Sequence, residues 1–118
     1  MRILALATAT LLAVLANGAA AQAHAFLDHA EPRVGSTVST APREIVLTYT
    51  QNLEPAFSSV EVSDANGARV DLGKPRISAS TMRVGLKKLQ PGTYRVRWQV
   101  LSADTHTTEG SFTFHVGQ

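Results

Sequence analysis

The sequence contains no cysteine among its 118 residues. Disulfides, which hold together many small exported domains, are therefore excluded, and so are metal sites built on thiolates. Methionine is nearly absent as well, because Met82 is the only one besides Met1. A transition metal bound by this chain must therefore be held mainly by nitrogen and oxygen donors.

The sequence also lacks an excess of one charge. It has 11 Lys and Arg against 9 Asp and Glu, so we expect neither nucleic acid nor an anionic membrane as a partner. Long apolar runs are missing after residue 23, and the run at residues 3–16 is shorter than the roughly 20 residues that cross a membrane. We therefore expect a soluble mature chain without a membrane span.

The N-terminal segment has the three parts of a secretory leader. Arg2 gives a basic start, residues 3–16 are apolar, and residues 17–23 are mostly small, with a final Ala-Gln-Ala that fits a signal-peptidase site. We predict that residues 1–23 are a signal peptide that directs export. Residues 24–118 are then long enough for one compact domain.

Short alternating segments separated by turn residues fill the rest of the sequence, a pattern typical of all-β proteins. The strongest case is the segment 93–101, whose predicted core positions are Tyr94, Val96, Trp98 and Val100. We expect about seven strands in a two-sheet, immunoglobulin-like sandwich. They are predicted near His24 and at 45–51, 57–63, 68–72, 81–87, 93–101 and 110–116.

Several single positions carry predictions of their own. Asn66-Gly67 separates two apolar segments and predicts a type I′ hairpin turn, which needs positive φ at both residues. Met82 is in phase with apolar neighbours and is expected in the core. His115 is out of phase with its apolar neighbours and is expected on the solvent face. His29, five positions after His24 and beside Asp28, is either an outer group or weak ligand of a metal site near His24 or a solvated histidine at a strand end, and we expect the second.

Three residues form a candidate metal site. Cleavage makes His24 the first residue, which offers a metal its free amine and its imidazole, although any residue can follow a cleavage site. Asp104 and His106 are separated by one residue and project to the same side of an extended chain. Alone, this pair is more typical of a polar loop between strands than of a metal site. Together the three residues supply three nitrogens and one oxygen, which suit tetragonal Cu(II); Zn(II) is also chemically compatible.

The surroundings of this candidate site carry no catalytic motif. Thr107 and Glu109 are candidates to hydrogen-bond the outer nitrogen of a ligating histidine, and the sequence does not choose between them. Ser58, Ser59 and Ser102 lack the glycine-flanked elbow of a serine nucleophile and a phosphate-binding loop. We therefore predict a binding protein, not an enzyme.

The mature sequence resembles the CopC-type periplasmic copper-binding domains over essentially its whole length. The resemblance is carried, in order, by residues 24–27, Glu31-Pro32, Gly35, Val38 and residues 41–48, 54–57, 92–98, 100–106 and 110–114. It implies a small Greek-key β-sandwich. It also implies that Cu(II) binds to the mature amino terminus and an Asp-x-His loop, which makes His24, Asp104 and His106 the ligands.

The resemblance further implies a periplasmic protein that sequesters Cu(II) in copper resistance and passes it to an inner-membrane copper transporter. We expect a monomer with one ion per mature chain. Some members of the family also have a Cu(I) site in a methionine-rich stretch that corresponds here to about residues 50–60. This chain has no methionine there, and Cu(I) prefers soft sulfur ligands, so we predict a Cu(II) site only.

Two other functions share part of this pattern. A copper oxidase or monooxygenase with a terminal-histidine brace would use the same amine and imidazoles, but catalytic metals need an open position, which Asp104 would fill. A metal-free sandwich that serves as an interaction domain would make His24, Asp104 and His106 incidental. Sustained substrate turnover would favour the first alternative, and absence of tight Cu(II) binding would favour the second.

Overall fold

The computed structural model describes residues 25–118, and eight strands lie within them. The predicted signal peptide and His24 lie outside the described residues. The strands are β1 (Leu27–Glu31), β2 (Thr37–Val38), β3 (Glu44–Tyr49), β4 (Ser59–Ser63), β5 (Arg76–Ser78), β6 (Thr81–Gly85), β7 (Gly92–Leu101) and β8 (Thr107–Val116). A short 3-10 helix, Pro55–Phe57, precedes β4. No helix among residues 25–118 has the length and apolar character that a membrane span requires.

The strands form two four-stranded sheets, with the orders β1-β3-β6-β5 and β2-β8-β7-β4. Every pair is antiparallel except β2 with β8. The chain crosses repeatedly between the sheets in a Greek-key-like order. This arrangement confirms the predicted all-β sandwich, because each sheet buries its apolar face against the other.

The core lies between the sheets and follows the alternation of the sequence. In β7, Tyr94, Val96 and Val100 are buried as predicted, and Met82 of β6 is fully buried. Trp98 packs against this core but remains half-buried. The period of two in the sequence therefore identified the core faces of the strands correctly.

The predicted strand at 68–72 is wrong. Arg69 makes an isolated bridge to Ser63 beside β4, whereas Asp71 makes one to Leu86 beyond β6. The segment thus crosses from one sheet to the other and cannot pair continuously with either. The buried Asp71 carboxylate accepts the Val62 amide at 2.9 Å, replacing part of the missing strand ladder.

The turn at Asn66-Gly67 is present, but the type I′ prediction is wrong. Of the two residues, only Gly67 has positive φ, at 84°. The Gly67 amide donates to the Asp64 carbonyl, and the Asp64 carboxylate accepts the amides of Asn66 and Ala68. An aspartate before the turn therefore selects a three-residue loop with a single left-handed position.

Strand boundaries differ from the predictions at the short elements. The strand predicted near His24 is observed as β1, and the strand predicted from residue 57 begins at Ser59 because Pro55–Phe57 forms the 3-10 helix. Strands β2 and β5 were not predicted. Their two and three residues are too few to show an alternating pattern.

Candidate metal centre

Strands β7 and β8 form a long hairpin whose closing loop, residues 102–106, contains Asp104 and His106. Ten residue pairs hold the hairpin, and Leu101 opposite Thr107 is the last of them. Within the loop, the Ser102 amide donates to the His106 carbonyl at 2.9 Å, and the Thr105 amide donates to the Ser102 carbonyl at 2.9 Å. The site therefore lies on a tight loop that two ten-residue strands support.

The side chains of Asp104 and His106 converge. The Asp104 Oδ2 and His106 Nδ1 atoms are 3.4 Å apart, and the two side chains are 37% and 48% exposed. The extended alternation that we predicted is not what brings them together. Thr105 between them has φ of 70°, a left-handed conformation that is costly for a β-branched residue, and the chain turns there.

Ser102 supports this loop from its buried side. The residue is fully buried, and its hydroxyl donates to Asp104 Oδ1. Its Oγ also lies 3.4 Å from the His106 amide nitrogen, which donates to it, and 3.1 Å from the His106 carbonyl oxygen. In the sequence, Ser102 was a candidate only for a nucleophile, and no catalytic motif surrounds it. The available signal was its position two residues before Asp104, where serine hydroxyls commonly bond nearby chain groups.

The surroundings of the Asp104 carboxyl favour its ionised form. The hydrogen bond from Ser102 lowers the pKa of Asp104 below its ordinary value. Partial desolvation opposes this effect, and the nearby His106 lowers the pKa further. Asp104 is therefore ionised at neutral pH and available to a cation.

The first described residues of the chain lie at the same end of the sandwich. Thr108, two residues after His106, donates its hydroxyl to the Ala25 carbonyl at 2.8 Å. Phe26 and Thr50 exchange two hydrogen bonds of 2.9 Å, one of them through the Thr50 hydroxyl. Ala25 itself is fully buried. The backbone immediately after His24 is thus anchored beside the start of β8.

The other residues named in the sequence analysis lie on strands outside this loop. His29 on β1 is 62% exposed, and its Nδ1 atom lies within hydrogen-bonding distance of Asp28 Oδ2 at 2.9 Å, as expected for a solvated histidine. His115 bonds the Thr93 hydroxyl on the outer face of its sheet, although it is half-buried. Thr107 and Glu109 are exposed on β8. Their role in orienting His106 stays a prediction.

Asp104 and His106 can share one metal ion but cannot complete its shell. Two donors that are each about 2.0–2.2 Å from an ion can lie up to about 4.2 Å apart, so the observed 3.4 Å is compatible. Within residues 25–118 no group of three or more His, Asp or Glu is arranged for a metal. Two ligands are few for a transition metal, so this loop provides half of a site.

A family profile described as the CopC domain matches residues 27–117. The chain belongs to the CopC domain family. Copper resistance protein C of Xanthomonas campestris pv. juglandis is 32% identical over 118 residues, with 92% of each chain covered. The copper transport protein CutJ of Bacillus subtilis is 33% identical over 100 residues, which are 81% of this chain but only 18% of CutJ.

Solved structures of the family have the same fold. CopC from Methylosinus trichosporium OB3b superposes with a TM-score of 0.75 at 30% identity and covers 80% of this chain and 94% of that one. PcoC, a methionine-rich copper resistance protein from Escherichia coli, gives 0.71 at 32% identity and covers 80% and 99%. The names of three of these four relatives describe copper resistance or copper transport.

Proposed function

We propose that this CopC-family protein binds one Cu(II) ion per mature chain in the periplasm and sequesters it in copper resistance. The ligands are the amine and imidazole of His24, the Asp104 carboxylate and the His106 imidazole. The observation that carries the proposal is the convergence of Asp104 and His106, 3.4 Å apart, on an exposed and well-supported loop. The copper-related names of the relatives support the choice of metal.

The anchored backbone at Ala25 supports His24 as the remaining ligand. Adjacent Cα atoms are about 3.8 Å apart, so a ligand one residue before the anchored Ala25 is compatible with this proposal. Thr108 fixes Ala25 through a hydrogen bond and lies only two residues after His106. Signal-peptide cleavage after residue 23 then supplies the terminal amine beside the loop.

The donor set favours Cu(II) over Cu(I). Amine, imidazole and carboxylate groups suit a tetragonal Cu(II) ion, whereas Cu(I) prefers thiolate or thioether sulfur. The chain has no cysteine, and Met82 is fully buried in the core. Among residues 25–118, no sulfur atom is therefore accessible to a copper ion at the surface.

The proposed role includes transfer of the ion. The region similar to this chain forms 18% of CutJ, which is named as a copper transport protein. A separate chain of this family fits the role of a soluble, monomeric carrier that passes Cu(II) to an inner-membrane copper transporter. The exposure of Asp104 and His106 leaves the ion accessible to such a partner.

The decisive experiment compares the mature protein that begins at His24 with one that carries one additional residue before it. The extension turns the terminal amine into an amide and leaves every side chain in place. We expect the Cu(II) affinity to fall at least about tenfold, because a ligand is lost, and the electron paramagnetic resonance (EPR) spectrum to change. Equal affinity and identical spectra for the two proteins would rule out the terminal-amine site.

A second experiment tests the loop with one substitution at a proposed ligand and a matched control substitution elsewhere. His106→Ala removes a proposed ligand, whereas His29→Ala removes an exposed histidine that pairs only with Asp28 in the described structure. Copper binding should weaken strongly in H106A and stay unchanged in H29A. Equal effects of the two substitutions would show that copper binds to surface histidines without a defined site.

A further inference from the structure

The environment of Ser102 is unusual for a small polar residue. It is fully buried just after β7 ends, so its hydroxyl needs partners from the protein, and those observed are Asp104 and His106 of this loop. The backbone of the same residue is paired at both ends, since its amide donates to His106 and its carbonyl accepts from Thr105. The serine thus sits on the inner side of the loop that carries both proposed metal ligands.

The hydroxyl contacts the two ligand residues in different ways. A hydroxyl has one hydrogen to donate and can also accept. Its hydrogen goes to Asp104 Oδ1, because an ionised carboxylate is a stronger acceptor than the nearby His106 carbonyl. Its oxygen accepts from the His106 amide at 3.4 Å. A single buried atom therefore connects the Asp104 side chain to the His106 backbone.

This arrangement distinguishes the two oxygens of the Asp104 carboxylate. Ser102 takes Oδ1, whereas Oδ2 is turned toward His106 Nδ1, 3.4 Å away. A carboxylate held in this way is oriented to give a metal one oxygen, and rotation of the side chain would break the bond to the serine. The left-handed Thr105 shows that the loop adopts a costly backbone, which such contacts help to maintain.

We propose that Ser102 is a positioning residue of the metal centre, whose buried hydroxyl fixes the Asp104 carboxylate for binding through Oδ2 and sets the distance to His106. This inference rests on the proposed function, because it assigns a role within that site. Outer-sphere hydrogen bonds of this type orient ligands in many metal proteins, and their loss typically lowers metal affinity about 10–100-fold.

The chain offers a matched control in Ser58. This residue is 8% exposed, and its hydroxyl also bonds the end of β7, since it accepts from the Leu101 amide at 3.1 Å and donates to the Glu54 carbonyl at 2.9 Å. Its bonds reach backbone groups only and touch neither Asp104 nor His106. Ser58→Ala and Ser102→Ala therefore both remove one buried hydroxyl at the same end of β7, and only S102A removes contacts to the ligand residues.

The test measures Cu(II) affinity by competition with a chelator, the Cu(II) EPR spectrum and the melting temperature of the metal-free proteins. We expect S102A to bind Cu(II) about 10–100-fold more weakly, with an altered spectrum. S58A should lose about as much melting temperature as S102A but keep the wild-type Cu(II) affinity and EPR spectrum. Should S102A fail to fold, Ser102→Thr, which keeps the hydroxyl, is expected to retain the wild-type spectrum.

A double-mutant cycle shows whether Ser102 acts through Asp104. In an Asp104→Ala background, S102A should have little further effect on affinity, because the carboxylate that the serine orients is gone. Equal losses in both backgrounds, or wild-type binding by S102A while H106A has lost it, would overturn the role of Ser102. If H106A and D104A both bind copper like the wild type, the proposed metal site itself is wrong.

Discussion

Asp71 shows at the scale of one residue how a buried carboxylate can replace strand pairing. Its side chain is 1% exposed, and it pairs with the half-exposed guanidinium of Arg69 at 2.8 Å. The amides of Val62 and Gly73 also donate to it. Burial by itself would raise the pKa of Asp71, but the hydrogen bonds from Arg69, Val62 and Gly73 together lower it below the ordinary value.

This lowered pKa predicts a loss of stability in acid. A carboxyl whose pKa is lower in the folded state contributes stability above its unfolded pKa, about 3.9 for aspartate, and that contribution disappears as the pH falls through the folded value. At neutral pH, Asp71→Asn should lower the free energy of unfolding by about 1.5–3 kcal/mol, because charge-assisted hydrogen bonds are lost. The difference from wild type should shrink in acid.

Urea denaturation between pH 7 and pH 3 measures this effect. Glu61→Gln is the control, because Glu61 pairs with the same Arg69 at 3.2 Å but is 53% exposed. Such a surface pair contributes less than about 1 kcal/mol. A difference between D71N and wild type that stays constant over the whole pH range would contradict the assignment.

At the scale of elements, the β7–β8 hairpin pairs a residue with a large side chain, Trp98, with a residue that has no side chain, Gly110. Trp98 lies directly opposite Gly110, and a Cβ atom added to Gly110 would lie 2.5 Å from Trp98 Cζ2. The indole therefore occupies the space above the glycine. It also packs edge-on against Tyr49 of the other sheet, with ring centroids 5.2 Å apart. Gly110 thus controls how the hairpin contacts the opposite sheet.

Gly110→Ala should consequently destabilise the protein, because the indole must move out of its position. Overpacking of this kind typically costs about 1–3 kcal/mol, and the near-ultraviolet circular dichroism of Trp98, the only tryptophan, should change. Gly117→Ala is the control, since its added Cβ would meet no atom closer than 3.6 Å. A stability of G110A equal to that of G117A would show that the indole adapts without cost.

At the scale of the whole molecule, the proposed site joins parts of the chain that are far apart in sequence. The bond between Thr108 and Ala25 connects residues 83 positions apart, and the loop 102–106 closes the longest hairpin. A copper ion shared by His24, Asp104 and His106 would add a further link between the start of the chain and this hairpin. Because the complete set of ligands exists only in the folded protein, copper binding and folding should be coupled.

Copper should therefore raise the melting temperature of the mature protein. At a free Cu(II) concentration of 100 times the dissociation constant, a ligand specific for the folded state stabilises it by about 2.7 kcal/mol. For a domain of this size, such stabilisation corresponds to a rise of roughly 10–20 °C. Differential scanning calorimetry should show the rise in wild type, its reversal by a chelator and little rise in H106A. An unchanged wild-type melting temperature would argue against a site that requires the fold.

The sequence by itself determined the fold class and the core faces of the long strands, and it restricts the donor atoms that the loop can offer. Alternation in β7 and β8 is a local property, because successive side chains of a strand point to opposite faces. It therefore placed Val96 and Val100 in the core without knowledge of their partners. The absence of cysteine and the presence of Asp104 and His106 are also properties of the sequence alone. They restrict the available metal donors mainly to nitrogen and oxygen atoms, whatever the fold.

Only the tertiary structure decided how these parts meet. The crossing of residues 68–72 between sheets depends on which strands form the sheet edges, and local composition does not contain that information. The convergence of Asp104 and His106 depends on a turn closed by the buried Ser102, and the anchoring of Ala25 depends on Thr108 across the sandwich. Contacts between distant residues, and the burial of a small hydroxyl, arise from packing of the whole chain, so no local pattern predicts them.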